Sequence, residues 1–139
     1  MGMVYANIEL INSDEIGLYR RGIISKEEIK KEKVKALVDR GSYMLCINEH
    51  IKSQLDLKVY EIREAVLTDG TIRNFEIVGP VDIKFENRST TCRAMVLPGK
   101  SEVLLGSIPL EDMDVVIDTK SQTLKVNPES PYMAMTYLK

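Results

Sequence analysis

The sequence predicts a mainly β fold, a small barrel or sandwich that carries one or two short helices. Three observations lead to this prediction. Apolar and polar residues alternate with a period of two in several segments, as they do when one face of a strand is buried. Turn sequences rich in Gly, Pro, Asp and Asn separate these segments at short intervals. The helical patterns are all short, which favours a β architecture of many hairpins.

Length and composition limit the classes of protein to which the chain can belong. Its 139 residues suit a single domain spanning 1–139, large enough to bury a core without a disulfide or metal. A net charge of -2 gives no reason to expect a nucleic-acid or membrane partner. No signal peptide and no run long enough to cross a bilayer is visible, and Cys46 and Cys92 lie in apolar stretches. We therefore expect free thiols in a cytoplasmic protein.

The first strand is predicted where Val4, Ala6, Ile8 and Leu10 alternate with more polar neighbours. The pattern then fails over 12–31, an excursion between the first two strands. Within it, 14–21 can form a helical turn, and a second turn can start at Ser25, which has capping-box spacing to Glu28.

The next segments return to strand at 33–39 and at 43–47, where the apolar run indicates a buried strand. Asn48 suits a helix N-cap, and Ile51 and Leu55 lie at the i, i+4 spacing of one helix face. Two strands, 59–67 and 72–78, follow, joined through Thr68-Asp69-Gly70-Thr71. Asp-Gly is a strong hairpin signal because it supplies the positive φ angles of a tight turn.

In the second half of the chain, the sequence predicts a further hairpin, in which strands 81–85 and 91–97 are joined by the turn 86–89. Pro98-Gly99 interrupts the sheet. The remaining predicted elements are a buried strand ending at Gly106, a helical turn over 109–113 that begins with Pro109, strands at 115–118 and 123–126, and a weakly alternating tail.

The residues that indicate chemistry are Asp39-Arg40-Gly41-Ser42, at the end of the apolar run Leu37-Val38. Glycine two residues after the acid lets the backbone turn sharply and approach a ligand closely. An aspartate in such a turn lies at the edge of the core, a position that suits a carboxylate acting in acid–base catalysis.

These residues resemble the retropepsin-like aspartic peptidases. The family pattern has two apolar residues, Asp-Thr/Ser-Gly-Ala/Ser and an apolar strand, then a glycine-tipped flap hairpin, then two apolar residues and a glycine before a short helix. This chain has Asp39-Arg40-Gly41-Ser42 with Met44-Leu45, the Asp69-Gly70-Thr71 turn, and Leu104-Leu105-Gly106 with Ile108-Pro109-Leu110, in that order. The resemblance extends over about residues 3–127.

The resemblance implies a closed acid-protease barrel that works as a homodimer without cofactor or metal. Two facing aspartates share one proton, since two close like charges cannot both ionise cheaply. One accepts a proton from the attacking water and the other donates to the peptide carbonyl of a peptide or protein substrate. Because the chain holds one Asp-x-Gly in this context, each subunit would contribute Asp39. Gly41 and Ser42 would support it, and Asp69, Gly70 and Thr71 would form the flap.

Arg40 departs from the family, which has a threonine or serine whose hydroxyl bridges the two active-site loops. An arginine side chain has no acceptor for that role, and two guanidinium groups near the axis would repel each other. If they paired with the carboxylates, both aspartates would tend to ionise. Two hypotheses follow: an aspartic endopeptidase, or a catalytically impaired dimerisation or peptide-binding module of the same fold.

Other interpretations compete with these two. Asp39 can be an ordinary turn aspartate, and Asp69-Gly70 an ordinary hairpin turn. An unrelated small barrel that binds a ligand is a third hypothesis for the whole chain. His50 is predicted on a short helix near the surface, and its spacing to Cys46 and Cys92 is not that of a zinc site. Ser42 has no adjacent histidine or lysine to activate it as a nucleophile.

Overall fold

The structure, a computed structural model, describes residues 2–138. These residues form nine strands, three α-helices and one 3-10 helix, so the mainly β prediction is confirmed, with one α-helix more than expected. The strands are Tyr5–Asn12 (β1), Lys31–Val38 (β2), Leu45–Asn48 (β3), Lys58–Val66 (β4), Ile72–Phe85 (β5), Arg88–Leu97 (β6), Val103–Leu105 (β7), Val115–Asp118 (β8) and Thr123–Val126 (β9). The α-helices are Ser13–Arg20 (α1), Glu49–Gln54 (α2) and Ser107–Asp112 (α3), and the 3-10 helix is Lys26–Glu28.

Six of the strands close into a barrel. Their order is β1-β2-β7-β3-β6-β5, and β5 pairs again with β1. The pairs β2–β7 and β3–β6 are parallel, and the other neighbours are antiparallel. β4 extends the sheet beyond this ring as the partner of β5, and β8 pairs with β9 in a separate hairpin. The predicted small closed barrel is therefore confirmed.

β1 shows why the period-two pattern specifies this barrel. Ala6, Ile8 and Leu10 are buried in the core, as are Ile83 on β5 and Leu105 on β7. Because alternate side chains point to opposite faces, one face of each strand fills the interior. Residues 5–11 of β1 pair with β2 along one edge and residues 9–12 pair with β5 along the other, so β1 joins the two ends of the ring.

The excursion between β1 and β2 is anchored to the barrel through Asn12. The Asn12 side chain accepts a hydrogen bond from the Glu15 amide and caps α1, as helix N-caps do. Its amide group donates to the Leu55 carbonyl oxygen over 2.8 Å, and its backbone N–H donates to Lys30. The capping box at Ser25 and Glu28 is present as predicted.

Two predicted hairpin boundaries were wrong. The segments 72–78 and 81–85 form one strand, β5, which continues through Gly79-Pro80 with a shift in register against β6. Gly79 has a φ of 142°, which only glycine adopts readily, so the chain bends there without ending the strand. The second hairpin loop contains two residues, not four, because Phe85 and Arg88 are already paired.

Two further boundaries differ from the prediction, and the weakly alternating tail forms no strand. β3 begins at Leu45 rather than at residue 43, because Tyr43 and Met44 belong to the loop that follows Asp39. α3 begins at Ser107, which makes Pro109 its third residue. The tail beyond Asn127 contains no strand up to residue 138. By contrast, the N-cap at Asn48 and the burial of Ile51 and Leu55 are confirmed.

Candidate active site

Asp39 lies directly after β2, where the chain leaves the barrel. Its backbone N–H donates to the Leu105 carbonyl oxygen over 3.0 Å, which extends the parallel pairing with β7 by one bond. The Gly41 amide donates to Oδ1 and the Ser42 hydroxyl donates to Oδ2, each over 2.9 Å. The half-buried carboxylate is therefore oriented by two donors from its own turn.

Gly106 packs against the backbone of this turn. A Cβ atom at position 106 would collide with the carbonyl oxygens of Met44 and Ser42, so only glycine fits between the two segments. The next two residues then hold the loop: the Ser107 amide donates to Ser42 O over 2.9 Å, and the Ile108 amide to Tyr43 O over 3.1 Å. The apolar pair and glycine predicted from sequence thus pack directly against the acid-bearing loop.

A groove of about 380 Å³ separates this loop from the β4–β5 hairpin. Ser42, Tyr43 and Met44 line one side, and hairpin residues 63–67 with Phe75 line the other. Cys46, Met95 and Leu104 complete its walls. Burial, followed by the charge of Asp39, raises the pKa of the Cys46 thiol to about 11. We call this space the hairpin groove.

The predicted flap residues form the tip of the β4–β5 hairpin. Gly70 has a φ of 86°, and the Thr71 hydroxyl and amide both donate to Asp69 Oδ1. These two hydrogen bonds, the hydroxyl one first, lower the pKa of Asp69. The tip residues are absent from the lining of the hairpin groove, so the structure brings the arms of the hairpin, not its tip, close to Ser42.

A second groove of about 780 Å³ lies on the other side of the loop. Asp39 and Arg40 line it together with the amino-terminal segment 2–4 and the β8–β9 hairpin. The Arg40 side chain is exposed and makes no hydrogen bond or ion pair with residues 2–138. Asp39 lines this groove and Ser42 lines the hairpin groove, and the hydrogen bond between their side chains joins the two grooves at the turn.

Comparison with solved structures identifies the architecture. The retroviral protease-like domain of Ddi1 from Leishmania major has a TM-score of 0.55 to this chain at 18% sequence identity. The match covers 92% of this chain and 90% of that one. The barrel has a retropepsin-like fold. No model of a known protein family matches the sequence, and a search of curated proteins found no match.

Within this retropepsin-like barrel, Asp118, at the end of β8, forms its contacts inside its own hairpin. Asp118 forms an ion pair with Lys125 Nζ at 2.7 Å and accepts hydrogen bonds from the amides of Lys120 and Ser121. It closes the β8–β9 turn. His50 is exposed on α2, and residues 2–138 contain no cluster of His, Cys, Asp and Glu arranged to hold a metal ion. No helix among those residues has the length and apolar character needed to cross a membrane.

Sequence reasoning missed most of the residues that line the hairpin groove. Met44, Arg63 and Leu104 belong to three strands or loops that are distant in the chain. Their types carry no chemical signal by themselves, and only the pairing of β4 with β5 and of β3 with β7 brings them together.

Proposed function

We propose that this protein is an aspartic-type endopeptidase whose catalytic dyad contains one Asp39 from each of two copies of the chain. The observation that carries the proposal is the Asp39 carboxylate, held by Gly41 and Ser42 on the loop between the two grooves of a retropepsin-like barrel. A hairpin with a glycine at its tip covers the neighbouring groove.

The proposed chemistry needs two such carboxylates close together. They would share one proton, because ionising both at short distance is costly. One carboxylate removes a proton from water as the water attacks the peptide carbonyl, and the other donates a proton to the carbonyl oxygen. The Gly41 and Ser42 donors fix the orientation of each carboxylate before substrate arrives, which lowers the reorganisation needed during the reaction.

A second copy of the chain would supply the missing acid. Asp118 is bound to Lys125 and Asp69 to its own turn, so neither is placed to face Asp39. The groove that contains Asp39 is open, and Met3 beside it exposes 66% of its surface. A two-fold axis passing beside Asp39 would cover this apolar surface and bring the two acids together.

The test compares the parent chain with Asp39→Asn on an unfolded protein substrate, with cleavage measured by mass spectrometry. Asp56→Asn is the matched control, because it makes the same chemical change in an exposed turn remote from the site. We expect Asp39→Asn to abolish cleavage while the dimer persists in sedimentation, and Asp56→Asn to retain cleavage. Equal cleavage by the parent and Asp39→Asn would exclude the proposal.

A second candidate function is a catalytically impaired dimerisation or peptide-binding module. Arg40 favours it, since this exposed cation lines the same groove as Asp39. In a dimer the two guanidinium groups would favour ionisation of both aspartates and loss of the shared proton. Arg40→Thr separates the two candidates. Cleavage by the Thr variant alone supports the impaired module, and equal cleavage by both chains supports the peptidase.

A further inference from the structure

Beside the hairpin groove lies a second pocket of about 380 Å³ that carries positive charge. Tyr43 and Ile108 form its apolar side, and Arg63 and Arg93 its charged side. Tyr43 exposes 69% of its surface and Ile108 39%, which leaves apolar surface available to a ligand. Because Tyr43 and Arg63 also line the hairpin groove, the two spaces are adjacent.

The two guanidinium groups are held in fixed positions and converge on one carboxylate oxygen. Arg63 Nη2 and Arg93 Nη1 lie 3.0 Å and 3.3 Å from Glu61 Oε1. The Arg93 guanidinium also stacks on Tyr60, with its central carbon 4.3 Å from the ring centroid. Arg63 Nη1 contacts Met44 Sδ at 3.4 Å. These contacts place the two partly exposed guanidinium groups next to each other at the edge of the pocket.

The N–H donors of Arg93 that residues 2–138 do not use leave this pocket with capacity to bind a further anion. Arg63 and Arg93 share the single carboxylate of Glu61. Within residues 2–138, the Arg93 guanidinium donates a hydrogen bond through Nη1 alone. Guanidinium groups bind carboxylates through paired N–H donors, a geometry that selects them over neutral amides. Asp82 and then Asp112 are further acids whose charge acts here, since both, after burial, raise the pKa of Cys92 in the pocket wall.

We propose that this pocket binds an aspartate or glutamate side chain of the substrate peptide, on a residue that flanks the scissile bond. The proposal rests on the peptidase function above and adds a substrate class to it. Tyr43 and Ile108 contact the aliphatic part of the acidic side chain, and Arg63 and Arg93 bind its carboxylate. In a two-fold dimer each copy provides one such pocket, so the acidic preference extends to both sides of the cleaved bond.

The experiment uses the full-length chain and a peptide array. Each peptide has the same apolar centre, with Asp or Glu placed at each flanking position in turn, and is matched by its Asn or Gln counterpart. The Asp39→Asn chain is tested for binding, and the parent chain for cleavage. We expect the acidic peptides to be favoured by about three- to tenfold at low salt, as for partly exposed charge pairs, and less at high salt.

Variants then assign the preference to the two arginines. Arg63→Gln and Arg93→Gln should each reduce the acidic preference, and Arg93→Lys should restore part of it. Glu61→Gln should increase it, because the internal carboxylate that competes for the same donors is removed. Arg73→Gln is the matched control: Arg73 lies on the same hairpin but lines a different pocket, and it should leave the preference unchanged.

The outcomes separate the two proposals. Cleavage with an acidic preference that the Arg63 and Arg93 variants lose supports both. Cleavage with equal rates for acidic and amide peptides overturns the acid-binding pocket and leaves the peptidase intact. Arginine-dependent binding without cleavage by the parent supports the pocket in a peptide-binding module. Neither binding nor cleavage overturns both.

Discussion

The Ser42 hydroxyl donates a hydrogen bond to Asp39 Oδ2 over 2.9 Å, while the Gly41 amide holds Oδ1 at the same distance. Both donors belong to the turn that the acid itself begins. The carboxylate is therefore oriented within one chain, before any second copy contributes. This short-range arrangement gives the Ser42 hydroxyl a partner, although no histidine or lysine lies next to it in sequence to activate it as a nucleophile.

Ser42→Ala removes one of these two donors. We expect kcat for peptide cleavage to fall by about tenfold, as is typical when one oriented hydrogen bond to a charged group is lost. Ser42→Thr keeps the hydroxyl and should retain most of the rate. Thermal unfolding of all three proteins checks that the barrel is intact. A Ser42→Ala chain with the parent kcat would mean that Gly41 alone orients the carboxylate.

Gly106→Ala should destabilise the protein by about 3 kcal/mol, since its Cβ would overlap the Met44 and Ser42 carbonyl oxygens in a tightly packed site. Gly17→Ala is the control. No atom lies within 4 Å of a Cβ at position 17, and the residue is in α1, so alanine should stabilise by about 0.5–1 kcal/mol. Urea unfolding measures both free energies. Equal effects of the two substitutions would contradict the tight contact at position 106.

Asp114 should make stability depend on pH in the acid range. Hydrogen bonds from Ser130, then Asn127 and the Met135 amide, lower the pKa of Asp114 to about 2. Because the folded-state pKa is depressed, this stabilisation is complete above the unfolded pKa of about 4 and is lost as the pH falls towards 2. Asparagine tolerates the φ of 55° at this position, and Asp114→Asn removes the charge together with one of the hydrogen bonds that the two carboxylate oxygens accept from Asn127 and Met135.

Urea unfolding of the parent and Asp114→Asn at several pH values tests this. The difference in free energy of unfolding should be largest near neutral pH and should shrink below about pH 4. A constant difference over that range would show that the charge of Asp114 does not contribute. The same carboxylate binds the tail through Ser130 and Met135, so protease sensitivity of residues 131–138 should rise in parallel.

The two cysteines should react slowly with iodoacetamide in the folded protein. Burial, followed by nearby acid charges, raises the pKa of Cys92 to about 12, as burial and Asp39 raise the pKa of Cys46 to about 11. Little thiolate is therefore present near neutral pH, and the thiolate is the reactive form. Mass spectrometry should show rapid modification only in urea. Asp39→Asn should lower the pKa of Cys46 and leave Cys92 unchanged, which provides an internal control.

Local signals in the sequence predicted those parts of the fold that depend on neighbouring residues. The alternation of apolar and polar residues predicted β1, and Asn48, whose side-chain oxygen caps the helix, predicted the start of α2. The pair Asp69-Gly70 predicted a tight turn. The start of α3 was predicted two residues late, because proline is favoured as the first residue of a helix and Pro109 was therefore taken as the start. The actual N-cap is Gly106, and its position depends on packing against the loop that contains Ser42 and Met44.

The sequence by itself therefore determined a mainly β chain with an acid in a sharp turn after an apolar strand. Only the tertiary structure decided that the turn lies between two grooves, one lined by Asp39 and the other by Ser42. It also decided that Arg63 and Arg93 meet at Glu61. The physical reason is that barrel closure pairs strands far apart in the chain, and the periodicity of one strand does not specify which strands become its neighbours.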